Sequence, residues 1–151
     1  MTYEQLKLDN QLCFPVYAAS RLITREYQPF LDRLGITYPQ YLVLMILWEE
    51  DSVAVNDIAK KLILNTNTIT PLLKRMEKQG LVKRKRSRDD ERKVMIQLTE
   101  NGRKLQEEAS LIPEKLGGRL AAGELKVTDL IRLKKTLDSL ILSLSRQESR
   151  T

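Results

Sequence analysis

The stretch Asn65 to Arg86, NTNTITPLLKRMEKQGLVKRKR, changes its periodicity midway. Ile69, Leu72, Leu73 and Met76 fall at i, i+3, i+4 and i+7, the apolar stripe of one helix. Gly80 then supplies the left-handed backbone that ends such a helix without a Cβ penalty. Pro71 removes a backbone donor, which a helix tolerates only near its start, so the helix begins close to Thr66 or Asn67. Thr66, Asn67, Thr68, Thr70, Lys74 and Arg75 lie off the stripe and should be exposed. Past Gly80 the period becomes that of a strand. Leu81–Arg86 (LVKRKR) and Arg92–Leu98 (RKVMIQL) flank the charged segment SRDDE. Two short strands around a charged turn predict a hairpin with an exposed tip.

Upstream, Leu12, Val16, Ala19, Ile23, Tyr27, Phe30 and Leu34 recur at steps of three or four. They predict a long amphipathic helix, capped by Asp9 or Asn10, buried along that stripe and ending near Gly35. Pro15 lies near its start, whereas Pro29 should bend or interrupt it. Thr37 and Gln40 have the spacing of a capping box, and the run Tyr41–Trp48 is apolar on all sides, so it predicts a buried helix. Ser52–Val55 reads as extended, followed by a small helix from about Asn56 to Leu62. Downstream, Thr99 caps a helix running through Leu105, Ala109 and Ile112. Pro113 should kink or end it, and Gly117-Gly118 should break the pattern outright. A last helix, beginning near Glu124, carries Leu130, Leu133, Leu137, Leu140 and Leu144 at steps of 3, 4, 3 and 4, a heptad seam expected to meet a second copy.

Composition removes most other classes. With 151 residues, 42% hydrophobic and 30% charged, the chain is long enough to bury a core and reads as globular. No apolar run is long enough to span a membrane. The start, MTYEQLKLDN, lacks a basic region followed by an apolar one, so no secretory signal is expected. The single cysteine permits no internal disulfide, which fits a reducing cytoplasm. There is no histidine, which excludes a Ser–His triad and argues against a zinc site; no metal, cofactor or catalytic residue is expected. The net charge of +6 is concentrated: residues 72–104 hold twelve Lys and Arg against five Asp and Glu, while residues 1–71 are net acidic. A polyanion docking on that window is the natural partner.

Helix, short helix, polar-faced helix and basic hairpin, in that order, form a winged helix-turn-helix. The expected fold is therefore mainly α with a small β-hairpin wing and a helical dimerisation body. Residues 1–35 and 100–151 would form the body and 36–99 the DNA-binding domain. The helix near Thr66 would offer hydroxyls and an amide to base edges, with Lys74 and Arg75 reaching phosphates. The hairpin cations Arg84, Arg86 and Arg88 would add contacts, and an arginine at the tip can enter the minor groove.

The segment Asp90-Glu91-Arg92, then Val94, Leu98-Thr99 and Gly102, resembles the wing signature D-x-R-x-V-x(3)-L-T-x(2)-G of the MarR transcription factors. TITPLLKRMEKQGLVKR, 68–84, is similar to the same family. The resemblance implies a homodimer on a pseudo-palindromic double-stranded operator, with Arg92 in the minor groove and Asp90 holding it by an ion pair.

The block LDNQLCFPVYAASRLITREYQPFLDRLGITYPQYLVL, Leu8 to Leu44, closely resembles the organic hydroperoxide resistance subgroup (OhrR) of that family. The resemblance implies that Cys13 is a peroxide-sensing thiol and that Tyr27 and Tyr38, supplied by the opposite subunit, hydrogen-bond to it. Tyr17, one turn beyond Cys13, could line the same pocket. A first-turn position independently favours an anion through the helix dipole. The second cysteine found in some members of the subgroup is missing here. The sulfenic acid would then be trapped by a low-molecular-weight thiol or over-oxidised. Two alternatives stay open: a repressor released by a small phenolic or lipophilic ligand, and a thiol-based regulator of general oxidative stress. A cysteine peroxidase would leave the basic wing without a use.

Overall fold

In the computed structural model, which describes residues 3–148, the chain is mainly helical with a small antiparallel sheet. The elements are α1 (Cys13–Leu34), α2 (Tyr38–Glu49), β1 (Val53–Ala54), α3 (Val55–Leu62), α4 (Thr66–Lys78), β2 (Val82–Arg86), β3 (Val94–Leu98), α5 (Glu100–Ala109), α6 (Ile112–Leu120) and α7 (Val127–Glu148). They fall into two compact units, one ending at Ile112 and the other beginning at Pro113.

The first unit is organised around the α4 stripe. Ile69, Leu72, Leu73 and Met76 are all buried, together with Leu31, Leu44, Leu47, Ile58 and Ile96. Each such side chain removed from water contributes about 1.5–3 kcal/mol. The capping box of α2 is formed: Gln40 N–H donates to Thr37 Oγ1 at 3.4 Å and Thr37 N–H to Gln40 Oε1 at 3.1 Å. Of the run it opens, only Met45 is exposed. Gly35 and Gly80 take φ of +68° and +72°, ending α1 and α4 as a glycine permits. The hairpin is joined by β1, giving the strand order β1-β3-β2 with Val53 opposite Ile96. Ser52–Val55 is thus a strand of only two residues followed at once by a helix.

Several expectations change. Helix α1 begins at Cys13, with Leu12 at the cap position and no side-chain cap. Asp9 and Asn10 belong instead to a preceding 3-10 turn, where Asn10 Nδ2 donates to the Glu4 carbonyl at 2.7 Å. The amide that could have capped α1 is occupied one turn earlier. Pro29 does not interrupt α1, because Leu31 and Leu34 are anchored in the core beyond it. The N-terminal half of the stripe is not buried within the chain: Leu12 is 74% and Val16 42% exposed, and Ala19 is exposed too. Pro113 opens α6 as its second residue, a position where the missing N–H has no helical partner anyway. Gly117 and Gly118 both lie inside α6, so they do not break it. Helix α7 starts at Val127, after Lys126 N–H donates to Asp129 Oδ2 at 2.9 Å.

The base of the wing is tied to α5 and α2 at one place. Thr99 caps α5 by accepting the Gly102 N–H at 3.1 Å, while its hydroxyl donates to the Gly80 carbonyl at 2.5 Å. Thr99 N–H donates to the Leu81 carbonyl at 3.1 Å. Gly102 is buried against that carbonyl so closely that a Cβ there would lie 2.2 Å from Leu81 O. Trp48 Nε1 donates to the Gly102 carbonyl at 2.9 Å. Asp51 accepts the Leu98 N–H at 2.9 Å and the Ser52 N–H at 3.0 Å, and pairs with Arg103. Partial burial pushes the Asp51 carboxyl up, but the Leu98 N–H, Arg103 and the Ser52 N–H outweigh it and hold it below the usual value.

Two outcomes follow from this junction. Gly102→Ala should lower unfolding stability by about 1–3 kcal/mol or more, as overpacking against backbone does, measured by urea denaturation. Asp51 has a folded pKa below its unfolded one, so its contribution is complete at neutral pH and lost as pH falls through the folded value. Asp51→Asn should therefore lower the Tm at pH 7, with the gap from the parent closing below about pH 4. A gap that persists unchanged in acid would show that the carboxylate charge is not what stabilises the junction.

Candidate nucleic-acid interface and thiol site

Helix α4 is held ready by its cap. Asn65 Oδ1 accepts the Thr68 N–H at 3.0 Å and the Thr68 hydroxyl at 3.2 Å. Thr66, Asn67, Thr68, Lys74 and Arg75 are exposed, and Thr70 is half-buried. A cleft of about 490 Å³ separates this helix from the wing. It is lined by Thr66 and Thr70 of α4, Arg84 of β2, and Arg92, Lys93 and Val94 at the start of β3, with Asn56 and Asp57 from α3. Four residues expected to contact DNA, Thr66, Thr70, Arg84 and Arg92, therefore share one concave surface with Lys93.

The register explains how Arg84 reaches that surface. Arg84 sits opposite Ile96, and Val82 opposite Leu98, so Arg84 continues the inward row of the sheet. Its Nε is buried and has no hydrogen-bond partner. Arg86, Arg88, Asp90 and Arg92 are exposed around the tip. There the turn is closed by Ser87 N–H to the Lys93 carbonyl at 2.8 Å and Lys93 N–H to the Asp90 carbonyl at 2.9 Å. The Asp90 carboxylate accepts the Arg92 backbone N–H at 3.0 Å. Its bond is to the Arg92 backbone in this structure, where an ion pair with the guanidinium was expected. Arg75 faces elsewhere, lining a cavity of about 390 Å³ with Gly35, Thr37, Gln40, Lys78 and Gln79. Gln40, buried, donates from Nε2 to Gln79 Oε1 at 2.7 Å, joining the start of α2 to the end of α4.

Cys13 is the first residue of α1 and is exposed, flanked by exposed Leu12, Phe14 and Val16. The ring of Tyr17 carries the Arg21 guanidinium 4.6 Å from its centroid. Tyr27 and Tyr38 come together with ring centroids 5.0 Å apart, and Tyr41 joins them at 5.8 Å from Tyr27 and 6.4 Å from Tyr38. Burial, then Tyr38 and Tyr41, push the Tyr27 phenol up to about 12. Burial also raises Tyr38 and Tyr41. The trio does not meet Cys13 within one chain, since Tyr27 lies fourteen positions along α1 from Cys13, a rise of about 21 Å. Tyr41, Asn56 and Lys93 were not evident as members of these clusters. Only Tyr41 had a signal, its i+3 spacing from Tyr38. Among the described residues, no group of three His, Cys, Asp or Glu is placed to hold a metal ion. Nor is any helix long and apolar enough to cross a membrane.

A polar-faced helix beside a basic, arginine-tipped hairpin defines a winged helix-turn-helix protein that binds DNA. Residues 25–109 match the family described as Transcriptional regulator SarA/Rot, and the chain belongs to this MarR/SarA family of regulators, not to a family of enzymes. It is 48% identical to the organic hydroperoxide resistance transcriptional regulator of Bacillus subtilis (strain 168), over 96% of this chain and 97% of that one. Reduced AbfR bound to DNA, a protein of Staphylococcus epidermidis, is 39% identical with a TM-score of 0.74, covering 97% of this chain and 99% of that one. Overoxidised AbfR bound to DNA is 43% identical with a TM-score of 0.68, covering 91% and 99%. The MarR protein of E. coli, at 22% identity and a TM-score of 0.68 over 86% and 96%, shares the fold.

Arg92→Ala should weaken binding to a duplex selected by this protein from a randomised library by tenfold or more, read by fluorescence anisotropy. Unchanged affinity would remove the wing tip from the interface.

Proposed function

We propose that the chain is a homodimeric repressor that senses organic hydroperoxides through Cys13 and releases its pseudo-palindromic operator on oxidation. The observation that carries this reading is the separation of Cys13 from the tyrosine trio along α1. A second copy related by a two-fold axis, with its α1 running the other way, brings each cysteine to the other subunit's tyrosines. The B. subtilis relative, named for organic hydroperoxide resistance, supports the same assignment.

The need for a second copy is supported by unpartnered apolar surface. In the first unit Leu12, Val16, Tyr17 and Leu22 are exposed; in the second, Leu133, Leu140 and Leu144 are exposed and Leu130 and Leu137 half-buried. Apolar surface on this scale marks an interface. Helix α1 and the C-terminal helices would form the dimer body, which spaces two recognition helices for major grooves roughly 34–36 Å apart.

The chemistry requires one thiol and its surroundings. The Cys13 thiolate attacks the hydroperoxide, the O–O bond breaks, and the alkoxide leaves as an alcohol after taking a proton. The sulfur is oxidised to sulfenic acid. A phenol raised to about 12, as Tyr27 is, stays protonated and can donate its O–H to that sulfur or to the leaving oxygen. Leu12, Phe14 and Val16 around the thiol favour an organic oxidant over hydrogen peroxide. A low-molecular-weight thiol then condenses with the sulfenic acid, forming a mixed disulfide and releasing water. AbfR in its overoxidised form has been captured on DNA, which favours the mixed disulfide as the releasing product here. Such a switch belongs in a reducing bacterial cytoplasm.

The test is a gel shift with cumene hydroperoxide and a small thiol, comparing the parent with Cys13→Ser. The parent should release DNA and gain the thiol's mass, and the serine variant should stay bound. Release by the serine variant would end the proposal and turn attention to a ligand-operated repressor.

A further inference from the structure

Between Leu72 and Arg88 the chain carries one carboxylate, Glu77, among eight lysines and arginines. It is exposed on the last turns of α4, a helix that meets a polyanion. On charge alone it opposes binding. Its hydrogen bond gives it a use. Glu77 Oε2 accepts the backbone N–H of Arg84 at 3.0 Å, from the recognition helix across to the first strand of the wing.

The sheet register shows why that N–H is available. Strand β2 is an edge strand, paired with β3 on one side only. Its antiparallel ladder is bonded at Thr99 N–H to Leu81 O and at Ser87 N–H to Lys93 O. Bonded pairs alternate with unbonded ones in such a ladder. With Val82 opposite Leu98, the residues 83 and 85 fall in bonded pairs, and Arg84 falls in an unbonded pair with its N–H turned to the open edge. An unpaired edge donor leaves a two-stranded ribbon free to twist. Glu77 holds it against α4 at the residue whose side chain enters the DNA-facing cleft.

We propose that Glu77 is a positioning residue of the DNA interface, a clasp between recognition helix and wing that holds Arg84 in the cleft for a backbone phosphate. This rests on the assignment of the cleft as the DNA-facing surface. Arg84 lines the cleft although its Nε is buried, so the rest of its guanidinium is the donor group the clasp presents. Glu77 touches no DNA in this scheme and acts only through Arg84.

The sign of the effect separates this from simple electrostatics. Glu77→Ala removes a negative charge and the acceptor; Glu77→Gln removes the charge and keeps an acceptor. With full-length protein and a duplex it has selected from a randomised library, Glu77→Ala should bind five- to tenfold more weakly. Glu77→Gln should match the parent within twofold or bind more tightly. Arg84→Ala should lose affinity and flatten the salt dependence by about one phosphate contact. Adding Glu77→Ala to it should cost nothing further. In the free parent protein, the Arg84 amide should exchange with deuterium slowly for an edge-strand donor, and this reading needs no variant. The proposal is overturned if Glu77→Ala binds as well as the parent or better, if Glu77→Gln is as weak as Glu77→Ala, if the Glu77 and Arg84 losses multiply, or if the Arg84 amide exchanges freely. Failure of wild-type protein to select any duplex would instead count against the DNA-facing cleft itself.

Discussion

The Leu81 carbonyl, with the Gly102 backbone packed against it, is the contact on which the DNA-binding geometry depends. It accepts the Thr99 N–H, so it closes the base of the hairpin at the same place where α5 backs onto it. Thr99 reaches from there to the Gly80 carbonyl, at the end of the recognition helix. Trp48 and Asp51 bind the same region from α2 and the turn after it. Four elements are therefore joined at one place, where the side chains of Thr99, Trp48 and Asp51 satisfy backbone groups of their neighbours. Only glycine admits the approach, which gives the last residue of the wing signature a steric reason.

With that base rigid, the cations need little further organisation. The sheet's alternation puts Arg84 inward and turns Lys83 and Lys85 outward. Arg86, on the same face as Arg84, is exposed near the tip, and the turn bonds from Ser87 to Lys93 place Arg92 at the mouth of the cleft. The positive charge concentrated in residues 72–104 steers a polyanion to this side of the unit. Coulombic steering is tolerant of geometry, whereas base reading is not. The rigid junction serves the second requirement.

The tyrosine trio lies close to the same machinery. Tyr38 and Gln40 share the first turn of α2, and Gln40 is hydrogen-bonded to Gln79 at the end of α4. The turn that carries Tyr38 is thus joined to the end of α4 through a buried, satisfied amide. A buried amide such as that of Gln40 has few alternative arrangements, because leaving it unpaired costs about 1–3 kcal/mol.

The order of elements from α1 to the start of α5, the α4 stripe, both glycine helix ends, the capping box at Thr37 and the hairpin are legible in the sequence, because each depends on neighbours within a few residues. The same is true of the basic window and of Cys13 near a helix start. Helix α5, by contrast, stops at Ala109, and α6 is a separate helix that the sequence did not announce. Other features depended on distant partners. Asn10 could cap α1 or clasp Glu4, and only the folded N-terminal turn decided for Glu4. Gly117-Gly118 and Pro29 stay helical although their local propensities, about 1 kcal/mol per glycine, oppose it. The union of Tyr27, Tyr38 and Tyr41, the cleft from Thr66 to Arg92, and the bond from Glu77 to Arg84 bring together residues on different elements. By itself the sequence determined what each element is and what chemistry it carries. The tertiary structure alone decided which of those groups meet, because side-chain contacts and edge donors are set by how elements pack, not by their local periodicity.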